Sequence, residues 1–190
     1  MNINRIWSKI KNLLPRRKPK GYLAGKRLYL SGPIEHGEDK INWRIEPKNI
    51  FKEEFGLVVF DPFDDPKQQW VPTLTIAREN QDYATIQKIA AAFVRKDLGA
   101  VDRSDILVSC LPFKVPTTGS HHEIINSNDT KKPTMLVCPQ GKQFIPIWYY
   151  GFIPLEFMFG SFEELYEYLR QVNAGLHKDN DRWAFVYELI

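Results

Sequence analysis

Short apolar runs recur along the middle of the chain, and polar segments separate them. Each run ends at turn-forming residues such as glycine and proline, which is typical of a strand buried on both faces of a parallel sheet. The predicted strands lie at 26–32, 57–62, 105–112 and 133–138. Because these strands do not alternate with polar residues, we expect both faces of the sheet to be covered.

The segments between the runs carry apolar residues at helical spacing. The predicted helices lie at 42–56, 75–104, 120–129 and 161–172. The long segment 75–104 is expected to break into two helices, and the last helix starts with a Ser-x-x-Glu capping box. The segment 64–73 is predicted to be a loop. The aromatic-rich segment 143–160 fits a lid, a subunit interface or core packing, and the pattern leaves all three open.

This alternation of strands and helices predicts an α/β fold, Rossmann-like, with a doubly wound parallel sheet of about five strands. In such folds ligands bind outside the carboxyl ends of the strands, where the strand order reverses. The strand ends richest in small and turn residues are 31–37, after the first strand, and 112–123, after the third. In a flavodoxin-like order those two strands are neighbours, so the sequence predicts one cleft between them.

The first twenty residues differ from the rest of the chain in charge. They hold seven basic and no acidic residues, whereas the remainder holds 19 basic against 23 acidic residues, a net charge of −4. Apolar residues recur among the basic ones at helical spacing, and such a helix can lie on an anionic membrane or on nucleic acid. A helix docked on its own domain or on a sister subunit, or a frayed terminus, fits equally. The predicted division is an extension at 1–25, a domain at 26–175 and a tail at 176–190.

Two cysteines, Cys110 and Cys138, lie far apart inside apolar runs. Without a spacing pattern around them, they are predicted to be buried free thiols of a reducing compartment, which leads us to expect a cytoplasmic protein. No apolar stretch of the sequence approaches the length of a transmembrane helix.

Two histidines and a glutamate stand side by side in the stretch PTTGSHHEI, residues 116–124. On a helix, neighbouring residues do not share a face, so His121, His122 and Glu123 cannot converge on one metal ion. The spacings of zinc proteases, phosphate-binding loops and dinucleotide-binding loops are absent from the sequence. The sequence therefore predicts no metal site, and it leaves the histidines as candidate lining of a pocket.

The residues on either side of the histidines suit other chemistry. Thr117, Gly119 and Ser120 precede or open a helix, and hydroxyl groups with free backbone N–H groups there bind anions such as phosphate. Glu123 is either a surface acid that interacts with the helix dipole or a carboxylate able to attack an electrophilic carbon. Tyr29, in the first strand, and Asp97, before the third, are its candidate partners.

In their order and spacing, these residues resemble the nucleoside 2-deoxyribosyltransferase superfamily, which also contains 2′-deoxynucleoside 5′-monophosphate N-glycosidases. The resemblance covers roughly 27–138, extends loosely to 170, and rests on YLSGPIEH…WR…VFDP…RKDLGAVDRSDILVSCL…PTTGSHHEI…KKPTMLVC. It implies a flavodoxin-like sheet and attack at C1′ of a deoxyribonucleoside. It also implies that no cofactor takes part and that the chain forms a homo-oligomer, at least a dimer.

The resemblance assigns a role to each matching residue. Glu123 corresponds to the catalytic nucleophile, Tyr29 to the tyrosine that orients it, and Asp97 to the aspartate that contacts the base and donates or relays a proton. The turn around the sugar corresponds to Gly32, Pro33 and Ile34. A retaining mechanism follows, with water or a second base resolving a glycosyl-enzyme intermediate. The alternative is a module of the same fold that binds nucleotides without turnover.

The residue six positions before the glutamate separates two branches of the superfamily. An aspartate there is typical of enzymes that act on nucleosides, and a serine of those that act on monophosphates. Here it is Thr117, which favours a nucleotide, although the phosphate-binding arginine of the first-strand loop is replaced by Glu35. Arg44 or a neighbouring subunit is expected to compensate. Trp43, next to Arg44, is a candidate for stacking on the base, or else a half-buried packing residue.

Overall fold

The computed structural model describes residues 21–34 and 42–187. Within these ranges the chain forms one sheet of five parallel strands in the order β2-β1-β3-β4-β5. The strands are β1 (Arg27–Ser31), β2 (Val58–Phe60), β3 (Ile106–Cys110), β4 (Thr134–Val137) and β5 (Met158–Phe159). This order is the flavodoxin-like one, and the four predicted strands are all present.

Of the helices in the described residues, the first four lie between successive strands and the last two follow β5. They are α1 (Asn42–Glu53), α2 (Val71–Glu79), α3 (Tyr83–Arg103), α4 (Thr118–Asp129), α5 (Phe162–Asn173) and the short α6 (Ala184–Tyr187). The predicted break in the long helical segment is confirmed, because α2 ends before Asp82, whose carboxylate caps α3 by accepting from the Thr85 N–H at 3.1 Å. Among the described residues, none of these helices is long and apolar enough to cross a membrane.

The prediction of a loop at 64–73 is wrong. Two short 3₁₀ helices, Pro62–Asp64 and Pro66–Trp70, fill this segment and lead directly into α2. The carboxylates of Asp61 and Asp65 cap them, and proline occupies the first position of each. Two capped turns in succession therefore replace the loop, and they hold their side chains beside α3.

The aromatic-rich segment contains the fifth strand, which the hydrophobic pattern did not locate. β5 has two residues, too few to show a strand period, and it pairs with β4 through Leu136 and Met158. The preceding residues are partly core: Tyr149 and Phe157 are buried, whereas Ile147 is 87% exposed. Core packing thus accounts for one face of this segment.

The sheet and its flanking helices enclose a single buried apolar cluster. It includes Leu23, which precedes the predicted domain 26–175 in the sequence, and Trp183, which follows it. Both side chains are fully buried. The Trp183 indole donates to the Tyr168 hydroxyl at 2.8 Å, which anchors the C-terminal segment. Cys110 and Cys138 are buried free thiols, as predicted.

Candidate active site

The predicted cleft is a cavity of about 760 Å³ at the carboxyl ends of β1 and β3. These strands are neighbours in the sheet, with Ser31 aligned to Ser109, so the segments that follow them meet at the same edge. Residues 32–34 and 116–120, with Glu123, form one side of the cavity. The opposite side comes from the capped turns, α2 and α3, and includes Phe63, Lys67, Arg78, Phe93 and Asp97.

Glu123 lies in α4 with its carboxylate directed at β1. The Tyr29 hydroxyl donates to one carboxylate oxygen at 2.6 Å, and the Ser31 hydroxyl donates to the other at 2.5 Å. Tyr29 and Ser31 are two residues apart in a strand, so they share one face of the sheet. Both donors are fully buried, and Glu123 itself is 8% exposed. The two hydroxyl groups therefore fix the carboxylate at the wall of the cavity.

Burial raises the pKa of Glu123 to about 7, although the hydrogen bonds from Ser31 and Tyr29 act to lower it. Burial, together with the negative charges of Glu123 and Asp97, raises the pKa of the Tyr29 phenol far above its ordinary value. Tyr29 therefore stays a hydrogen-bond donor at every physiological pH. With a pKa near 7, the Glu123 carboxylate is ionised in a large fraction of molecules at neutral pH. It is also poorly hydrated and held in one orientation, which suits a nucleophile.

Asp97 lines the same cavity from α3, and its carboxylate forms an ion pair with the ammonium of Lys67. Lys67 belongs to the 3₁₀ helix Pro66–Trp70, and its side chain is only 6% exposed. Burial raises the pKa of Asp97, and Lys67 opposes this effect. The cavity lining thus includes the carboxylates of Glu123 and Asp97 and the ammonium of Lys67.

The turn formed by Gly32, Pro33 and Ile34 contributes its backbone to the cavity. Gly32 has φ +155°, and a Cβ at this position would lie 2.5 Å from the ring of Trp43. Only a glycine lets the Trp43 ring approach the turn this closely. The turn is therefore packed from behind by the first residues of α1.

Trp43 and Arg44 lie behind the turn, and neither is among the described residues that line the cavity. The Arg44 guanidinium is fully buried; it pairs with Asp61 at 2.6 Å and donates to the carbonyl oxygens of Gly32 at 2.9 Å and Pro33 at 3.2 Å. It also lies 4.3 Å from the centre of the Trp43 ring. In this arrangement Arg44 holds the turn in place, and its Nη donors are engaged by Asp61 and by backbone carbonyl oxygens.

Thr117, Gly119 and Ser120 lie at the start of α4 and line the cavity beside Glu123. The Thr117 side chain does not cap the helix, and a Cβ on Gly119 would meet no atom within 4 Å. No acidic residue occupies the first turn of α4. The hydroxyl groups and the helix N-terminus therefore face open space in the cavity.

The two adjacent histidines do not line the cavity described here. His121 hydrogen bonds to the Tyr149 hydroxyl and stacks on its ring, which ties α4 to the aromatic-rich segment. Within 21–34 and 42–187, no three His, Cys, Asp or Glu side chains are grouped as metal ligands. Glu35, the position at which the resemblance expects an arginine, lies outside the described residues.

Sequence reasoning missed two polar residues of the site. Ser31 could have been found from its spacing, because a polar side chain two residues after Tyr29 shares its face of β1. Lys67 gave no comparable signal, since it lies in a segment predicted to be a loop. Its position follows from the caps at Asp61 and Asp65, which fold that segment against α3.

Comparison with solved structures finds proteins of similar fold. The structure is similar to that of a 2-deoxyribosyltransferase from the psychrotolerant bacterium Bacillus psychrosaccharolyticus, with a TM-score of 0.52 and 20% sequence identity. The chain has the fold of a 2-deoxyribosyltransferase. The match covers 73% of this chain and 89% of that enzyme, which is described as a biocatalyst for the synthesis of nucleosides. Neither a family model nor a curated protein matches the sequence. The shared fold agrees with the resemblance seen in the sequence motifs.

Proposed function

We propose that the protein cleaves the N-glycosidic bond of a 2′-deoxynucleoside or its 5′-monophosphate, with Glu123 as the nucleophile. The observation that carries this proposal is the buried Glu123 carboxylate, held at the cavity wall by the Tyr29 and Ser31 hydroxyls. The fold shared with a 2-deoxyribosyltransferase supports it at a coarse level. The cavity volume of about 760 Å³ is in the usual range for small-molecule sites.

The chemistry runs in two steps. A Glu123 oxygen forms a bond to C1′ of the sugar while the C1′–N bond breaks, and the bonding electron pair remains on the base nitrogen. Asp97, whose pKa is raised by burial, takes up a proton and donates or relays it to that nitrogen, which makes the base a better leaving group. Water or a second base then attacks C1′ and gives up its proton to Asp97, and the Glu123 carboxylate departs. Two inversions at C1′ give net retention of configuration.

The side of the cavity opposite Glu123 suits a planar base. Phe63 and Phe93 line it, and Val71, Ala90 and Val94 add apolar surface. Asp97 and Lys67 provide an acceptor and a donor among these apolar groups, which is the composition of a site that binds an aromatic heterocycle. We assign the base to this side and the sugar to the turn at Gly32, Pro33 and Ile34.

The start of α4 favours a 5′-monophosphate over a nucleoside. Thr117, Gly119 and Ser120 present hydroxyl and backbone N–H groups to the cavity, and the helix N-terminus attracts negative charge. Two cations, Lys67 and Arg78, line the cavity across from this helix. Arg44 is engaged with Asp61 and the turn, so we do not assign the phosphate to it.

The test is to incubate the purified protein with the common deoxynucleosides and their 5′-monophosphates and to measure free base by chromatography. We expect base release from at least one of them, faster from the monophosphate, and loss of release in Glu123→Gln. Addition of a second free base distinguishes transfer from hydrolysis, because transfer yields a new nucleoside. Saturable binding with the ligand recovered intact would instead identify a module that binds nucleotides without turnover.

The proposal includes assembly into a homo-oligomer, as the resemblance implies, which sedimentation velocity of the full chain would measure. A contact of residues 1–20 with membrane or nucleic acid concerns a segment outside the described residues. Deletion of this segment should abolish binding to anionic vesicles or DNA and leave base release unchanged. Equal binding with and without the segment would refute the contact.

A further inference from the structure

Lys67 is a buried cation whose position is fixed by the backbone around it. The backbone N–H of Lys67 donates to the Asp65 carboxylate at 2.8 Å. Asp65 also pairs with Lys96 of α3 at 2.6 Å. The capped turn is thus anchored to α3 through Asp65, two residues before Lys67. From this turn the side chain runs along Phe93, with the ammonium 5.4 Å from the ring centre, and ends on Asp97.

From this geometry we infer that Lys67 is a positioning residue: its ammonium holds the Asp97 carboxylate at the cavity wall and offsets the negative charge of Asp97 at Glu123. The inference rests on the proposed function, because it assigns Lys67 a role in the same site. It goes beyond the motifs, which contain Asp97 and Glu123 but no lysine.

The charge balance of the cavity gives the physical reason. Asp97 and Glu123 line one cavity, and two carboxylates in a poorly solvated site disfavour each other's ionisation. Burial is the main cause of the raised pKa of Glu123; beyond it, Asp97 raises this pKa further and Lys67 lowers it. Lys67 therefore lets Asp97 occupy the base side of the cavity while Glu123 remains ionisable near neutral pH.

Other charged and polar groups face Glu123 from the surrounding elements. Tyr29 and Ser31 of β1 donate hydrogen bonds to it, Arg44 of α1 acts on it through space, and Arg78 of α2 lines the same cavity. Arg44 pairs directly with Asp61. Lys67 contacts Asp97, the second carboxylate, directly.

The experiment measures the titration of Glu123 without any substrate. Protein labelled with ¹³C at the glutamate carboxyl is titrated by NMR, and the Glu123 signal is assigned by its loss in Glu123→Gln. We expect Lys67→Met to move the Glu123 midpoint upward by at least about 0.5 pH unit, because the Asp97 charge is then uncompensated. Asp97→Asn should move it downward, and the double variant should return close to the wild-type midpoint. Lys67→Arg should keep the wild-type midpoint, as should Lys88→Met, which removes an exposed lysine of α3.

A wild-type midpoint in folded Lys67→Met would overturn the inference. If circular dichroism shows that Lys67→Met does not fold, Asp97→Asn becomes the deciding variant. An unchanged Glu123 midpoint in Asp97→Asn would show that Asp97 exerts no charge effect for Lys67 to offset, and would overturn the inference. Selective loss of monophosphate cleavage without a shift in the midpoint would make Lys67 a substrate ligand instead. Absence of base release from the wild-type protein, with the midpoints shifted as expected, would overturn the proposed function and leave the charge balance standing.

Discussion

Tyr29 and Glu123 lie 94 residues apart in the chain, and a hydrogen bond of 2.6 Å joins them. The bond connects β1 to α4 across the floor of the cavity, and Ser31 forms a second connection at 2.5 Å from the same strand. Each carboxylate oxygen of Glu123 thus has its own donor. This relationship fixes the position of the Glu123 carboxylate.

Removal of either hydroxyl should slow base release and shift its pH dependence. A hydrogen bond to a charged group is worth about 1.5–3 kcal/mol, so Tyr29→Phe and Ser31→Ala should each lower kcat by roughly 10- to 100-fold. Both bonds favour the ionised carboxylate, so their loss should raise the pKa of Glu123 above its wild-type value of about 7. The increase of the rate with pH should therefore occur at higher pH in both variants. Rates of base release measured from pH 5 to 9 test this. A loss of rate with an unchanged pH dependence would contradict our account of these donors.

Glu123 should make the stability of the protein depend on pH. Its pKa rises from an ordinary value of 4.5 to about 7 in the folded state, so the folded protein holds an extra proton between these values. Binding of this proton stabilises the folded state. The stabilisation is fully present below pH 4.5 and is lost as the pH rises through 7. Glu123→Gln removes the group, so at pH 8 it should be more stable than the wild type, on the order of 3 kcal/mol.

Differential scanning calorimetry of both proteins checks this prediction. The Tm of Glu123→Gln should exceed that of the wild type by roughly 5–10 °C at pH 8. The Tm difference should shrink toward pH 5. A Tm difference that stays constant over this pH range would show that the substitution acts through packing alone.

Gly32→Ala should damage the turn that we assign to the sugar. The new Cβ would lie 2.5 Å from the ring of Trp43, and the backbone at φ +155° is unfavourable for other residues. We expect a loss of about 1–3 kcal/mol in stability and a higher KM for the substrate. Gly151→Ala is the matched control, because a Cβ there meets no atom within 4 Å. Equal behaviour of the two variants in urea unfolding and in kinetics would refute this role of Gly32.

Arg44→Met should lower the free energy of unfolding, because it leaves Asp61 buried without its principal partner. Breaking a buried ion pair from one side costs about 3–5 kcal/mol, which urea unfolding would measure. The ratio of monophosphate to nucleoside cleavage should not change, since Arg44 does not line the cavity. A selective loss of monophosphate cleavage would restore Arg44 as a phosphate ligand.

Patterns in the sequence were sufficient to predict the sheet and its cleft, because buried strands and amphipathic helices leave continuous signals. The motifs around Tyr29, Asp97 and Glu123 also led to residues that meet at or beside one cavity. An arginine beside a predicted cleft suggests a ligand for an anion, but Arg44 does not line the cavity. The buried Arg44 guanidinium pairs with Asp61, which is 17 residues away in the sequence. Only the fold brings the two side chains together.

Contacts between distant segments account for the other gaps. Lys67 reaches Asp97 only because capped turns replace the expected loop. Trp183 belongs to the core only because the C-terminal segment folds back onto Tyr168. Neither contact has a local period or spacing, so no pattern along the chain could have revealed it.

The two sides of the cavity differ in how far they can be redesigned. The turn at Gly32 and Pro33 is made of backbone whose carbonyl oxygens accept from the buried Arg44, so substitutions there disturb the folding network. The opposite side consists of side chains on the capped turns, α2 and α3, and Val71 and Val94 are more than 40% exposed. Libraries that vary Phe63, Val71 and Val94 should therefore change which bases are accepted at little cost in stability, and they are the natural starting point for engineering this protein as a catalyst.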